Sequence, residues 1–159
     1  RLRAAGRTLG VITVQPAAGR RFEPPPVGTR LDARFGQGIT LVGATLSPTP
    51  PRSGEPLTVT LGWRAEAPVG RSLKVFVHLA GPDGQPVAQD DAVPGNWTRP
   101  TDRWLPGEYV EDSHTLAVPA APPPGPYRLL VGLYDPLTGV RLTRPDGTDS
   151  VELWWGTLP

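Results

Sequence analysis

Two histidines, His78 and His114, are the only imidazole bases that this chain offers for catalysis. Nucleophilic catalysis needs such a base beside the attacking group, yet no Gly-x-Ser-x-Gly turn is present to expose a serine. Cysteine is absent, which excludes thiolate nucleophiles, disulfides and thiolate metal ligands. Two histidines far apart in the sequence also make a poor zinc site. We therefore predict that both histidines are structural and that the chain has no enzymatic activity of its own.

Acidic side chains are concentrated in the middle of the chain, at Asp83, Asp90, Asp91, Asp102, Glu108, Glu111 and Asp112. A glycosidase would need two such acids across a cleft, whereas most of these acids follow turn residues. β-Sandwich domains can bind a calcium ion through loop oxygens, but the spacing of an EF-hand is absent. We predict solvated turn side chains and no cofactor, with a structural calcium ion as the alternative.

Aromatic side chains give the stronger indication of a binding site, because flat rings stack on the apolar faces of sugars while polar neighbours bond the hydroxyls. Two tryptophans lie in the long connection 91–107, and further rings are predicted on the outward side of the central strands. The candidate ligand-binding residues are Trp97, Trp104, Phe76, His78 and Tyr134. The alternative is that these rings pack beneath the connection or beneath an N-terminal strand.

The strands that position these residues are predicted from the alternation of apolar and polar residues. The clearest hairpin has an apolar face formed by Leu73, Val75, Val77 and Leu79 and an opposite face formed by Lys74, Phe76 and His78. Gly81-Pro82-Asp83-Gly84 follows as its turn. Trp63 falls on the apolar side of another strand, so we expect it in the core.

Helical periodicity is absent, because proline or glycine interrupts nearly every stretch of ten residues. The clearest predicted strands are 56–65, 72–80, 85–90, 109–118, 127–135 and 150–155, and weaker candidates are 9–15, 30–35, 39–46 and 140–143. Gly36-Gln37-Gly38 is predicted to be a turn. Proline clusters at 24–26, 48–51 and 122–124 cannot donate ladder hydrogen bonds and are predicted in connections. These patterns predict an all-β fold, an antiparallel β-sandwich that is immunoglobulin-like or jelly-roll-like.

Length and charge narrow the range of partners. A chain of 159 residues is long enough for one domain. We assign residues 27–159 to this β-sandwich domain and residues 1–26 to an N-terminal linker or added edge strand. The net charge is +1 and the arginines are scattered, so nucleic acid is not expected as a partner. No apolar run approaches the roughly 20 residues that cross a bilayer, so no transmembrane segment is expected in this chain.

Several short sequences follow one another in a characteristic order. They are Phe76-Val77-His78-Leu79, Asp83-Gly84, Val87-Ala88-Gln89-Asp90, Trp104-Leu105-Pro106-Gly107-Glu108, Pro124-Gly125-Pro126-Tyr127, Val131-Gly132-Leu133-Tyr134-Asp135 and Thr138-Gly139. In this order they resemble the soluble domain at the C-terminus of some bacterial multi-pass membrane glycosyltransferases, which are similar to protein mannosyltransferases. The resemblance extends from Phe35 to the end of the chain.

This resemblance implies an accessory role, because the catalytic acids of that family lie in loops of a membrane portion outside this chain. It also implies an extracytoplasmic location, attached to a membrane protein, where the domain contacts a glycan, the cell wall or the parent membrane domain. The expected function is that of a non-catalytic extracytoplasmic accessory domain of a membrane glycosyltransferase-like protein. An independent carbohydrate-binding module and a purely structural spacer domain are the alternatives.

Overall fold

The computed structural model describes Leu2–Ala4, Arg7–Gly10 and residues 19–159 of the chain. These residues form the strands β1 (Leu2–Ala4), β2 (Arg7–Gly10), β3 (Thr29–Phe35), β4 (Ile39–Ser47), β5 (Pro56–Ala65), β6 (Lys74–Ala80), β7 (Pro86–Ala92), β8 (Tyr109–Ala117), β9 (Tyr127–Tyr134) and β10 (Val151–Gly156). The helical structure within the described residues is a single 3-10 turn, Thr101–Arg103. Nothing in this described part forms a helix with the length and apolar character needed to cross a membrane.

Eight of the strands form two four-stranded antiparallel sheets. The back sheet has the strand order β3-β4-β5-β8, and the front sheet has the order β10-β9-β6-β7. The apolar faces of the two sheets contribute to one continuous buried core. The predicted all-β antiparallel sandwich is therefore confirmed. The two N-terminal strands, β1 and β2, pair with each other in a separate two-stranded sheet.

Alternation along each strand selects the side chains that enter the core. The apolar face predicted for the central hairpin is fully buried, at Leu73, Val75, Val77 and Leu79. Trp63 is also fully buried, and its ring meets the Phe35 ring edge-on with the centroids 5.9 Å apart. The hairpin turn is closed by the Gly81 amide, which donates to the Gln85 carbonyl over 2.8 Å, and Gly84 adopts a φ of 80° there. The central hairpin therefore forms as predicted.

Most predicted strands agree with the structure to within two residues at either end. The turn at 36–38 joins β3 to β4, as predicted. The predicted strand 140–143 is wrong: β10 pairs with β9 only as far as Val131, and beyond it Arg141 makes an isolated bridge to Tyr134 without forming a strand. Of the predicted strand 9–15, residues 9 and 10 belong to β2, and residues 11–15 lie outside the described part of the chain.

The segment 19–27 crosses the outer face of the back sheet. Arg21 makes a β-bridge to Tyr109 at the edge of this sheet. Further along, the segment lies over Gly43 and Gly62, which are register partners on β4 and β5. A Cβ atom on Gly43 would lie 2.5 Å from a methyl carbon of Val27, so only glycine permits this approach. The described part of the segment thus contacts the sandwich, while the domain boundary at residue 26 stays a prediction.

A buried hydrogen-bond network joins one edge of the front sheet to one edge of the back sheet. On β8, the inward-facing His114 is fully buried, and its Nδ1 lies 2.8 Å from the Asp90 carboxylate on β7. Its Nε2 lies 2.7 Å from Oδ2 of Asp112, which also accepts a hydrogen bond from Trp63 Nε1 over 3.3 Å. An imidazole that meets a carboxylate at each nitrogen satisfies both only as the doubly protonated cation. The network therefore places an imidazolium between two carboxylates.

Burial alone lowers the pKa of His114, but the hydrogen bonds and negative charges of Asp112 and Asp90 outweigh that effect. The pKa of His114 therefore lies above its usual value of 6.5. A histidine whose pKa is higher in the folded state stabilises the fold fully below its unfolded pKa, and this stabilisation is lost as the pH rises through the folded pKa.

We expect the substitution Gly43→Ala to destabilise the domain by about 1–3 kcal/mol, because the new methyl group overlaps Val27 and the segment must shift. Thermal unfolding measures this as a fall in melting temperature of about 2–4 °C per kcal/mol. The matched control is Gly70→Ala, since a Cβ atom there has no neighbour within 4 Å. Equal melting temperatures for the two variants would show that segment 19–27 does not rest on the sheet.

We expect His114→Gln to lower the free energy of unfolding by about 3 kcal/mol at pH 6, because it leaves the buried Asp112 without its cationic partner. The difference from the unsubstituted domain is expected to shrink as the pH rises through the folded pKa of His114, which lies above 6.5, because the histidine loses its charge there. Denaturant unfolding at a series of pH values measures both quantities. Thr115→Ala, at an exposed position on the same strand, is the control. A destabilisation that is independent of pH would contradict the charged state of His114.

Candidate functional site

The outer face of the front sheet brings together three of the five predicted ligand-binding residues. Lys74, Phe76 and His78 alternate along β6 with core residues and therefore point away from the core. The ring centroid of Phe76 lies 4.9 Å from that of His78 and 6.4 Å from that of Tyr134 on β9. The hairpin alternation placed Phe76 and His78 on this surface, and the predicted strand 127–135 added Tyr134 to it.

Phe76 is nevertheless only 1% exposed, so its ring is packed beneath other residues, in keeping with the alternative of packed rings. Its register partner on β9 is Gly132, and the ring lies directly over that glycine. The guanidinium of Arg141 covers the ring from above, 4.1 Å from its centroid, which is a cation–π geometry. Phe76 therefore forms the floor of a pocket and does not offer a free stacking surface.

Polar groups surround this floor and form a pocket of about 280 Å³. Asp91, opposite Phe76 on β7, has a carboxylate oxygen 3.0 Å from Nε2 of His78. Burial and then the negative charge of Asp91 raise the pKa of Tyr134, so its phenol stays protonated near neutral pH and remains a hydrogen-bond donor. Arg141 adds guanidinium donors on the other side. We call this the front pocket: Phe76, His78, Asp91, Tyr134, Gly139 and Arg141.

Trp97, which has 57% of its surface exposed, contacts Lys74, a neighbour of the front-pocket residue Tyr134. Its ring lies over Lys74, whose Nζ is 4.7 Å from the ring centroid, and Lys74 is the register partner of Tyr134. Lys74 therefore links the tryptophan to the pocket. Of the predicted residues, Trp97 presents the largest exposed ring surface at this site.

The backbone that carries Trp97 is strained. Asn96 and Trp97 both adopt positive φ angles, 52° and 70°, which residues other than glycine seldom do. The turn is held by the Trp97 amide, which donates to the Val93 carbonyl over 2.9 Å. The Gly95 amide donates to Oδ1 of the buried Asp112, also over 2.9 Å. Strain of this kind persists where the surrounding structure fixes it, and it is concentrated at ligand-binding sites.

Trp104 does not belong to this surface, so its predicted role as an exposed stacking residue is wrong. It is 4% exposed and packs in the core, while its Nε1 donates to the Arg99 carbonyl over 2.9 Å. The adjacent Glu108 is fully buried and forms ion pairs with Arg20 and Arg99. This ionic cluster anchors the part of the connection that follows Trp97. The connection therefore buries one tryptophan and exposes the other.

Sequence reasoning missed three residues of this site, Lys74, Asp91 and Arg141. Lys74 lies in the predicted hairpin. Asp91 follows directly after the predicted second strand 85–90, and the observed β7 extends to include it opposite Phe76. Arg141 reaches the site from a distant connection, and no sequence pattern indicates that. His114 is structural, as predicted, whereas His78 lines the front pocket.

Metal ligands are not clustered in the described residues, where no group of three or more histidine, aspartate or glutamate side chains is arranged to hold an ion. The acids at 90 and 112 instead bond His114, and Asp91 bonds His78. Hydrogen bonding within the protein thus accounts for these three carboxylates.

Comparison of the chain with models of protein families and with curated proteins gives no match. The relationship to the glycosyltransferase-associated domain therefore rests on the order of short sequences described above, and it stays a prediction.

Proposed function

We propose that this domain is a non-catalytic, glycan-binding accessory domain and that the front pocket with Trp97 is its binding site. The observation that carries the proposal is Trp97 itself, a large ring held exposed by a strained backbone. A tryptophan in a free connection lowers its free energy by folding onto apolar surface, as Trp104 does. Holding Trp97 outward is explained by a ligand that covers its ring.

The chemistry of the pocket matches a sugar. Pyranose rings present C–H groups on one face, which stack on tryptophan, and hydroxyl groups at the rim. The Asp91 carboxylate accepts hydroxyl hydrogens, while the Tyr134 phenol and the Arg141 guanidinium donate to hydroxyl oxygens. A pocket of about 280 Å³ is of the size that one sugar residue fills.

Two features of the pocket support binding without catalysis. Only one carboxylate, Asp91, lines it, whereas glycoside hydrolysis by the common mechanisms requires two. The one hydroxyl group that lines it is the Tyr134 phenol, and its raised pKa makes the nucleophilic phenolate scarce. These residues are suited to hydrogen bonding with a ligand.

The parent protein in this proposal is a membrane glycosyltransferase-like protein that carries the domain on the extracytoplasmic side. The support is the ordered resemblance in 76–139, which includes four front-pocket residues, Phe76, His78, Tyr134 and Gly139. In that position the front pocket would hold a glycan acceptor or product near the membrane domain. One alternative is an independent carbohydrate-binding module, which would use the same pocket but would not belong to such a membrane protein. The other is a purely structural spacer domain, which would not use the pocket.

We expect the isolated domain to bind at least one glycan on an array, with Trp97→Ala weakening that binding at least tenfold, or about 1.4 kcal/mol. Isothermal titration calorimetry with the bound glycan measures the change. The control is Trp155→Ala, because Trp155 is 64% exposed and pairs with Arg128, about 20 Å along β9 from Tyr134. If no glycan binds, or if both substitutions weaken binding equally, the front pocket is not a sugar site.

The extracytoplasmic location has a separate test, which uses the absence of cysteine from the chain. Leu137 is 93% exposed, so Leu137→Cys introduces one accessible thiol in the full-length parent. In intact cells we expect a membrane-impermeant maleimide to label this variant, with a parent lacking the added thiol as the background. Labelling that requires cell lysis would place the domain in the cytoplasm and remove the accessory role proposed here.

A further inference from the structure

A row of polar side chains crosses the outer face of the back sheet, on the opposite side of the sandwich from the front pocket. Arg34 on β3 pairs in register with Thr40 on β4, and Thr40 pairs with Arg64 on β5. Each has core residues on both sides along its strand, so all three side chains point outward. Side chains that are directly opposite on antiparallel strands have Cβ atoms about 5 Å apart. The row therefore brings one hydroxyl between two guanidinium groups.

Two polar atoms in this row are buried without a partner. Thr40 is 2% exposed, and its hydroxyl oxygen has no hydrogen-bond partner within the described part of the chain. The Nε of Arg64 is likewise buried and unpartnered among the described residues. Each such group costs about 1–3 kcal/mol relative to a hydrogen-bonded one. A hydroxyl and a guanidinium N–H that converge on the same space call for a ligand with acceptor atoms.

Both residues line a polar recess of about 680 Å³, whose other charged side chains are Asp32, Arg34 and Glu66. We call it the back recess. Two arginines and two carboxylates leave it without net charge. The Nη1 of Arg64 is 3.6 Å from the Glu66 carboxylate, and its guanidinium carbon is 5.7 Å from the centroid of the Tyr109 ring. These contacts engage the Nη1 end and the face of the Arg64 guanidinium, whereas its Nε has no hydrogen-bond partner among the described residues.

The charges of the recess select the kind of acceptor. A carboxylate is planar, and its two oxygens match two donors that lie side by side, here the Arg64 Nε–H and the Thr40 hydroxyl. A phosphate dianion brings more negative charge close to Asp32 and Glu66 and is disfavoured there. Those two acids instead accept hydrogen bonds from hydroxyl groups on the same ligand.

We propose that the back recess binds the carboxylate of a hydroxylated monocarboxylic acid, of the chemical class of a uronic acid. Thr40 and Arg64 bind the carboxylate, Arg34 supplies a second positive charge, and Asp32 and Glu66 accept from the hydroxyl groups. This site is independent of the front pocket, since the two share no residue and lie on opposite sheets.

The probe is sodium D-glucuronate, titrated into the ¹⁵N-labelled domain while the Arg64 Nε–H resonance is followed by NMR. We expect saturable shifts at Arg64 and Thr40 with millimolar affinity, and no such shifts with D-glucose, which lacks the carboxylate. Inorganic phosphate is the third ligand, and we expect it to bind more weakly. Absence of saturable shifts with glucuronate, or phosphate binding that equals or exceeds it, overturns the proposal.

Two variants assign the binding to the named atoms. Thr40→Val keeps the shape of the side chain and removes the unpartnered hydroxyl, so we expect binding to weaken at least tenfold without a fall in melting temperature. Arg64→Gln removes the guanidinium, and we expect it to abolish binding. Thr115→Val, at an exposed outer position of β8, is the control and is expected to bind as the unsubstituted domain does. Unchanged affinity in Thr40→Val places the ligand elsewhere and contradicts the proposal.

Discussion

The rest of the structure depends on one buried carboxylate, that of Asp112, and on the imidazolium beside it. Its Oδ2 contacts His114, which extends the network to β7 and so joins the two sheets at one edge. The same oxygen accepts from the core residue Trp63, and Oδ1 accepts from the Gly95 amide in the long connection. Without charge on Asp112, the buried His114 cation would keep only the partly exposed Asp90 carboxylate as its partner. The Asp112 carboxylate therefore connects the core residue Trp63, the edge at which β7 and β8 meet, and the turn that carries Trp97.

This arrangement explains how a domain with few functional motifs presents two different surfaces. The polar residues of the His114 network inside the sandwich are hydrogen-bonded to one another and stabilise the fold. The polar residues outside the sheets are either grouped around an aromatic floor, as in the front pocket, or left partly unpartnered, as in the back recess. The two proposed binding sites accordingly lie on the outer faces of the sheets, and the core network holds the connection that carries Trp97.

The sequence predicted the fold well because alternation reports directly which side of a strand is apolar, as in the strand that carries Trp63. It predicted the candidate site only in part. Phe76 points outward as its position requires, but Arg141 closes over it from a connection more than sixty residues away, and alternation carries no information about such contacts. Trp97 and Trp104 are the same residue type in the same connection, so the sequence does not distinguish them. Their opposite burial follows from the turn at 95–97 and from the Glu108 ion pairs, which only the structure shows.

A charged histidine joins the two sheets, and ¹⁵N NMR of the His114 ring detects that charge directly. At pH 6.5 we expect the ring to be predominantly protonated, with hydrogens on both nitrogens, because its pKa lies above that value. Each of these hydrogens is expected to be protected from exchange, since each is held by a carboxylate. A ring that is predominantly neutral at pH 6.5, with one nitrogen unprotonated, would show that no imidazolium joins the two sheets.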